Sequence, residues 1–179
     1  MSWIRSISYG PLYGGVNAGI LAYTILLSGE APDMEKGEMA SSLIQLRDAG
    51  GRKAVNLTGK FPLNDSYMYT FCRALRDSGY QIIAHSNGQM YHSWFTLVDW
   101  LVVENAGEPW VVFKCQEFLF FWNGSDPLPE VTPELEATQF VLRAGEDVAP
   151  EVVLRTLSKA GIRWRLYVKP ETTLSKRLP

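Results

Sequence analysis

The feature that most restricts the fold of this chain is a regular alternation between short apolar runs rich in strand-forming residues and helical patterns that end at glycine. The predicted strands of the first half are residues 18–27, 53–58 and 80–85, and the predicted helices are residues 36–49 and a segment from Asn64 or Asp65 to Gly79. In the second helix Met68, Phe71 and Leu75 form one apolar stripe. The alternation predicts an α/β fold with a mainly parallel sheet and flanking helices.

The second half of the chain continues the alternation, except that two predicted strands follow one another without a helix between them. Its predicted strands are residues 100–103, 110–115 and 117–122 (two strands or one bent strand), 139–142 and 163–168, with a helix over residues 150–160. The last strand, helix and strand form a crossover unit, which we expect to be right-handed. The longest predicted loop is residues 126–133. We expect one domain over residues 1–170, followed by a loose polar tail over residues 171–179.

Charge and hydropathy exclude several partners. Charged residues make up 20% of the chain and the formal net charge is −2, so no global field attracts nucleic acid or anionic lipid. The longest apolar run, residues 20–27, is far shorter than the roughly 20 residues that span a bilayer. A signal peptide is not expected, because its basic start must lead directly into an apolar segment. Here the residues before the apolar run include Pro11, Gly14, Gly15 and Asn17. We therefore expect a location in the cytoplasm or within a macromolecular assembly, without a membrane.

Several short segments, in this order, carry a family resemblance. They are residues 57–63 (LTGKFPL), 83–88 (IAHSNG), 99–103 (DWLVV), 140–142 (FVL) and 164–166 (WRL). They resemble the TGGEPL-like segment, the ETNG turn and the closing strands of 7-carboxy-7-deazaguanine synthase, a radical-SAM enzyme. The resemblance implies an α/β fold of the small radical-SAM type, an incomplete (β/α) barrel.

The cofactor motifs of that family are missing from this chain. The family holds its iron–sulfur cluster by three thiolates in a CxxxCxxC loop after the first strand, where this chain has residues 28–33 (SGEAPD). Cys72 and Cys115 are two rather than three, and we expect both to be reduced and buried. Lys60 and Phe61 replace the second glycine and the glutamate of the SAM-contacting GGEP motif. We expect no cluster, no bound SAM and no radical-SAM activity, and we assign no catalytic residue.

A vestigial binding pocket is the main site that the resemblance implies. Its residues are Gly59, Lys60, Ser86 and Asn87, which follow two predicted strands. His85 ends one of these strands, and Asp99 or Glu104 could supply a carboxylate for acid–base work, although such carboxylates more often cap strands or face solvent. No metal site is expected, because His92 and His85 have no third ligand at metal-binding spacing.

Two further groups of residues allow alternative interpretations. The cations Lys60, Arg143 and Lys169 could surround an anion or could be solvated surface charges. The Gly10-Pro11 and Gly14-Gly15 pairs predict a tight loop that lacks the sequence of a phosphate loop.

The aromatic residues of the chain's middle predict either a protein interface or an aromatic core. The interface candidates are Trp94, Trp110, Phe121 and Trp122. Strand alternation places Phe118, Phe120 and Trp122 inward and Phe121 outward.

Three functional hypotheses follow. The first is a non-catalytic radical-SAM-like domain that serves as a structural or binding component of a larger assembly, with a protein partner or as a homo-oligomer; a small viral or accessory protein would fit this description. The alternative is a purine- or nucleotide-binding regulator linked to 7-deazaguanine metabolism. The third is an enzyme with unrecognised chemistry that uses His85 and a nearby carboxylate.

Overall fold

A computed structural model describes residues 3–12, 17–48, 53–105, 107, 109–125, 127–128, 134–160 and 164–167. Within them the elements are β1 (Ile4–Pro11), β2 (Leu21–Ser28), α1 (Glu38–Asp48), β3 (Ala54–Lys60), α2 (Asp65–Asp77), β4 (Gln81–Ser86), a 3-10 helix (Ser93–Leu97), β5 (Trp100–Asn105), β6 (Lys114–Trp122), β7 (Glu136–Ala144), α3 (Pro150–Lys159) and β8 (Trp164–Tyr167). The predicted α/β class is confirmed. In the described ranges no helix is long and apolar enough to cross a bilayer.

The eight strands form one sheet whose order follows the chain, from β1 to β8. Strands β2 to β8 are parallel, and β1 pairs antiparallel with β2. Parallel crossovers are right-handed, so a sheet that always grows in one direction places all its connections on the same face. The first and last strands do not pair within the described residues, and the sheet is therefore open.

The helices bury their apolar stripes on one face of this sheet. One core cluster contains Met39 of α1, Phe71 of α2, Trp94 of the 3-10 helix and Val153 of α3 together with residues of the strands. The opposite face carries two small apolar clusters, formed by strand residues with Leu12 and Ile20. Most of the core therefore lies between the sheet and the helices.

Helix α2 forms where its local signals predict. Asn64 has extended backbone angles, and its Oδ1 accepts the N–H of Ser66 at 3.0 Å, which caps the first turn. The buried residues of the helix are Met68, Phe71, Cys72 and Leu75. Gly79 follows at φ +80°, a conformation that glycine adopts without strain.

Two segments differ from expectation. Gly10 and Pro11 do not form a tight loop, because they pair with Ala22 and Leu21 at the end of β1. Pro11 is tolerated because β1 is an edge strand. The predicted strand 110–115 is largely absent: only its last two residues lie in a strand, β6, and residues 110–113 form a connection that packs Trp110 5.3 Å from Phe118.

Several expectations concern residues outside the described ranges. They are the Gly14-Gly15 pair, Lys169, the tail 171–179 and most of the loop 126–133.

Candidate functional site

The face of the sheet opposite the helices carries an unusual set of polar side chains. Because side chains alternate along a strand, residues two apart point to the same face. The polar residues on this open face are Asn56 of β3, His85 of β4, Glu104 of β5, Glu117 of β6 and Arg143 of β7. Parallel strands buried on both faces are normally apolar throughout, so five adjacent strands with polar residues indicate a site.

These five residues line a cavity of about 500 Å³. Ser8 and Thr24 extend its polar wall towards β1, while Leu12, Val102 and Leu119 supply apolar surface. The volume lies within the range of roughly 300–1,000 Å³ that small-molecule sites occupy. The open face therefore offers a cavity of ligand size that the described helices do not cover.

Asn56 is the buried polar group at one end of this cavity. It is 7% exposed, and the strand register places it between Thr24 and Ile83. Its Oδ1 has no hydrogen-bond donor among the described residues. A buried oxygen without a donor costs about 1–3 kcal/mol, so this amide is placed at the expense of stability.

His85 and Glu104 form a hydrogen-bonded pair in the middle of the site. His85 Nδ1 lies 2.7 Å from Glu104 Oε1, with the two side chains 25% and 38% exposed. A carboxylate on one ring nitrogen fixes the orientation of the imidazole. The structure thus supplies for His85 the carboxylate partner that the sequence leaves open.

Glu117 places a carboxylate deep in the wall of the cavity. It is 1% exposed, and Trp100 Nε1 donates to its Oε2 at 3.4 Å. The nearby Arg143 guanidinium lies 5.1 Å from the centre of the Phe121 ring. Burial, with a smaller contribution from the charge of Glu117, raises the pKa of Cys115 to about 12, so that thiol stays protonated.

A second cavity, of about 680 Å³, lies at the carboxyl ends of β3 and β4. All four residues of the predicted vestigial pocket, Gly59, Lys60, Ser86 and Asn87, line it. Ser86 Oγ and Asn87 Oδ1 accept backbone N–H groups of Gly88 and Gln89 at 3.1 Å, so both side chains also shape the turn. His85 and Glu104 line this cavity as well as the first.

His92 and Asp99 have structural positions. His92 is 5% exposed, its Nδ1 lies 2.6 Å from Asp65 Oδ1, and Asp65 Oδ2 accepts the N–H of Ser93 at 2.6 Å. Asp99 accepts the N–H of Ile82 at 2.8 Å, at the start of β4. Within the described part of the chain, no three His, Cys, Asp or Glu residues are grouped so that they could hold a metal ion.

The aromatic interface candidates divide between the core and the sheet faces. Trp94 and Trp122 are 0% and 4% exposed and belong to the main core, so these two side chains present no surface to a partner. Trp110 and Phe121 are half-buried, Trp110 on the helix face and Phe121 on the open face. Phe118, Phe120 and Trp122 point to the helices, as the alternation predicts.

Asn56 and Glu117 are the site residues that sequence reasoning misses. Asn56 stands within an apolar run, and Glu117 begins another. A polar residue inside a predicted parallel strand is the signal that could have identified both, because such strands are usually apolar on both faces.

Comparison with known proteins adds no relative: no protein-family model matches this chain, and no curated protein matches its sequence.

Proposed function

We propose that this chain is a non-catalytic binding protein that holds a small polar molecule in the cavity on the open face of the sheet. The observation that carries this proposal is Asn56 Oδ1, which is buried in the cavity wall without a donor among the described residues. A group that costs stability is retained where a ligand satisfies it. The neighbouring His85–Glu104 pair and Arg143 supply further polar contacts for the same ligand.

The resemblance to 7-carboxy-7-deazaguanine synthase supports binding rather than radical chemistry. We infer that the open sheet is a relative of the incomplete barrel of that family, which has lost its cluster loop at residues 28–33. Phe61, in place of the family's glutamate, packs its ring 4.8 Å from the ring of Trp94. Purine-type compounds are the first class to test, because 7-carboxy-7-deazaguanine, the product that gives the family its name, is a purine analogue.

A melting scan of the purified chain with SAM, GTP and deazaguanine compounds tests the binding proposal. We expect at least one compound to raise the melting temperature, since a ligand at a hundred times its Kd adds roughly 2.7 kcal/mol. The Asn56→Leu variant should lose this response. Gln45→Leu, an amide replacement on the exposed face of α1, is the matched control and should keep it. An unchanged response in Asn56→Leu would show that the ligand lies elsewhere.

Membership of a larger assembly is the second candidate function. It is favoured by three exposed apolar side chains after β3 and β4, namely Leu63, Met90 and Tyr91, with exposed fractions of 80%, 46% and 58%. Leu63 and Met90 both line the second cavity, at the carboxyl ends of β3 and β4. Exposed apolar surface of this kind is typical of association sites. Light scattering tests the homo-oligomer, and a monomeric mass at high concentration would contradict it.

A further inference from the structure

We infer that the molecule held on the open face is an uncharged cyclic polyol, such as a monosaccharide. This inference rests on the proposed binding function and names the chemical class of its ligand. It depends on which polar atoms at the cavity lack a hydrogen-bond partner, on the sides from which the polar side chains approach, and on the contacts that the charged side chains already make.

Two side-chain amides leave one acceptor and one donor unsatisfied at the cavity. The atoms are Asn56 Oδ1 and Asn17 Nδ2, both buried and both without a hydrogen-bond partner among the described residues. Both residues line the cavity, Asn56 from β3 and Asn17 from the connection between β1 and β2. A ligand that satisfies both amides must donate one hydrogen bond and accept another. Hydroxyl groups suit this requirement, because each can donate through its O–H and accept through its oxygen.

The polar side chains approach the cavity from several sides. Thr24 of β2 and Arg143 of β7 stand five strands apart. The connection that carries Asn17 packs Leu12 on the amino ends of β2 and β3, whereas Glu104 lies near the carboxyl end of β5. A flat amide group presents its donor and its acceptor along one edge, but a cyclic polyol carries hydroxyls around its whole ring. The polyol therefore matches a lining whose polar groups surround the ligand.

The charged side chains of the lining already have contacts within the protein. His85 Nδ1 lies 2.7 Å from Glu104 Oε1, and Trp100 Nε1 donates to Glu117 Oε2 at 3.4 Å. Glu117 and Arg143 each take part in further interactions. A charged ligand would have to compete with these contacts for its counter-charge. Because the two amides that lack partners are neutral, an uncharged ligand satisfies the cavity without disturbing them.

Apolar side chains of the lining fit the body of such a ring. Val102 and Leu119 stand on the same face as the polar residues of β4 to β6, and Pro11 and Leu12 supply apolar surface at the β1 side. A pyranose ring has apolar carbon–hydrogen faces and a polar rim. Its faces can pack on the aliphatic side chains while its hydroxyls reach the polar ones, the combination that is typical of small-molecule sites.

Three neutral hexoses test the inference: glucose, galactose and mannose. Binding to the full chain is followed by isothermal titration and by backbone chemical shifts. We expect at least one hexose to bind at millimolar concentrations, with shifts at Thr24 and Asn56. Cyclohexanol, a ring with a single hydroxyl, and uracil, a flat ring with amide edges, should bind about tenfold more weakly. The amino-sugar and uronate forms of the same hexose, which carry opposite charges, should not bind more tightly than the neutral sugar.

Two variants of nearly unchanged size locate the contacts. Asn17→Asp replaces the amide donor by an acceptor, and Thr24→Val removes a hydroxyl from the cavity wall. Each should weaken binding of the hexose about fivefold, the effect of one neutral hydrogen bond. Thr24→Val keeps a β-branched residue in its strand, so it provides the test if Asn17→Asp fails to fold. Thr138→Val, at an exposed position of β7 outside the cavity lining, is the matched control and should bind as the wild type does.

The outcomes separate this inference from the proposed function. Binding of SAM, GTP or a deazaguanine compound at Asn56 without binding of any hexose would overturn the polyol class and leave the binding function in place. The same conclusion follows if cyclohexanol, uracil or a charged sugar binds at least as tightly as the best hexose, or if Asn17→Asp and Thr24→Val both leave hexose binding unchanged. If no compound of either panel binds on the open face, the inference and the binding function both fail.

Discussion

At the scale of single residues, Asn56 shows a conflict between the stability of strand β3 and the binding of a ligand. Strand β3 is buried on the helix face by Val55 and Leu57, and an apolar residue at position 56 would suit the other face equally well. The amide instead leaves an oxygen without a donor among the described residues. Such a departure from packing rules is typical of functional positions, where stability is given up for a contact with a ligand.

Replacing Asn56 by leucine should therefore stabilise the empty protein. Removing the buried oxygen recovers its desolvation cost, so we expect the free energy of unfolding to rise by about 1–2 kcal/mol. Denaturant titration without ligand measures this change, with Gln45→Leu as the control for an added apolar side chain. A loss of stability in Asn56→Leu would mean that the cavity cannot accept the leucine or that the amide already has a partner.

Both the backbone angle and the neighbouring atoms at position 59 disfavour any residue other than glycine. It has φ +97°, and a Cβ there would lie 2.5 Å from the carbonyl oxygen of Leu27. Gly107 has nearly the same angle, φ +99°, with nothing within 4 Å of the corresponding position.

Alanine variants at these two glycines separate the two effects. Gly107→Ala reports backbone strain alone, and Gly59→Ala reports strain together with a steric clash. Gly107→Ala should cost about 1 kcal/mol, because alanine tolerates positive φ poorly. Gly59→Ala should cost more than twice as much, because a backbone atom stands in the way. Thermal unfolding of the two variants measures the difference, and equal losses would show that β2 moves aside without penalty.

At the scale of elements, Asp65 joins the start of α2 to the 3-10 helix. Its carboxylate contacts His92 and the backbone of Ser93. Burial opposes the ionised form of Asp65, but the hydrogen bonds from His92 and Ser93 outweigh burial and lower the pKa below 3.8. A lowered folded-state pKa stabilises the fold above the unfolded value, and this contribution is lost as the pH falls through the folded value.

Asp65→Asn should therefore be destabilising near neutral pH and almost neutral in strong acid. Hydrogen bonds to a charged group contribute about 1.5–3 kcal/mol, and this is the loss expected well above pH 3.8. The difference from wild type should shrink as the pH falls below 3.8. Asp77→Asn, at the other end of α2 in an exposed pair with Arg73, is the control and should change stability by less than about 0.5 kcal/mol. A pH-independent difference would exclude ionised Asp65 as its cause.

The same scale shows which parts of the fold the sequence predicts. Helix α2 is predictable because its cap, its apolar stripe and its terminal glycine all lie within sixteen residues, Asn64 to Gly79. Strand β1 is not, because Gly10 and Pro11 favour a loop locally, and only pairing with β2 makes them a strand. Residues 110–113 have strand-like composition but pack as a connection over the core, which is a tertiary effect.

One part of the candidate site could also be predicted from the sequence, and another part could not. Gly59, Lys60, Ser86 and Asn87 could be predicted to meet, because residues that follow neighbouring parallel strands share one edge of the sheet. The open-face cavity could not be predicted. Its lining depends on which face the helices leave uncovered and on the register that places Val102 beside both His85 and Glu117.

At the scale of the whole molecule, the strand order places the apolar core on one face of the sheet and the cavity on the other. Connections on one face concentrate the apolar core between helices and sheet, from Trp3 before β1 to Val153 of α3. The other face is then free to carry the polar groups of the cavity. A core that spans so much of the chain should unfold as one unit, as the single predicted domain over residues 1–170 requires.

Substitutions near the two ends of this core test whether it unfolds as one cooperative unit. Trp3 is fully buried with its ring 4.9 Å from Phe71, so Trp3→Ala should cost about 3–5 kcal/mol, and Val153→Ala, which removes two methyl groups, about 1–2 kcal/mol. Val152→Ala, one position away on α3 and 37% exposed, is the control for Val153 and should cost less. Because both ends share one core, each variant should shift a single transition that is the same by tryptophan fluorescence and by far-ultraviolet circular dichroism. Two separated transitions, with Val153→Ala moving only one of them, would show instead that the end of the sheet near α3 unfolds independently, and that the cavity is built across two cooperative units.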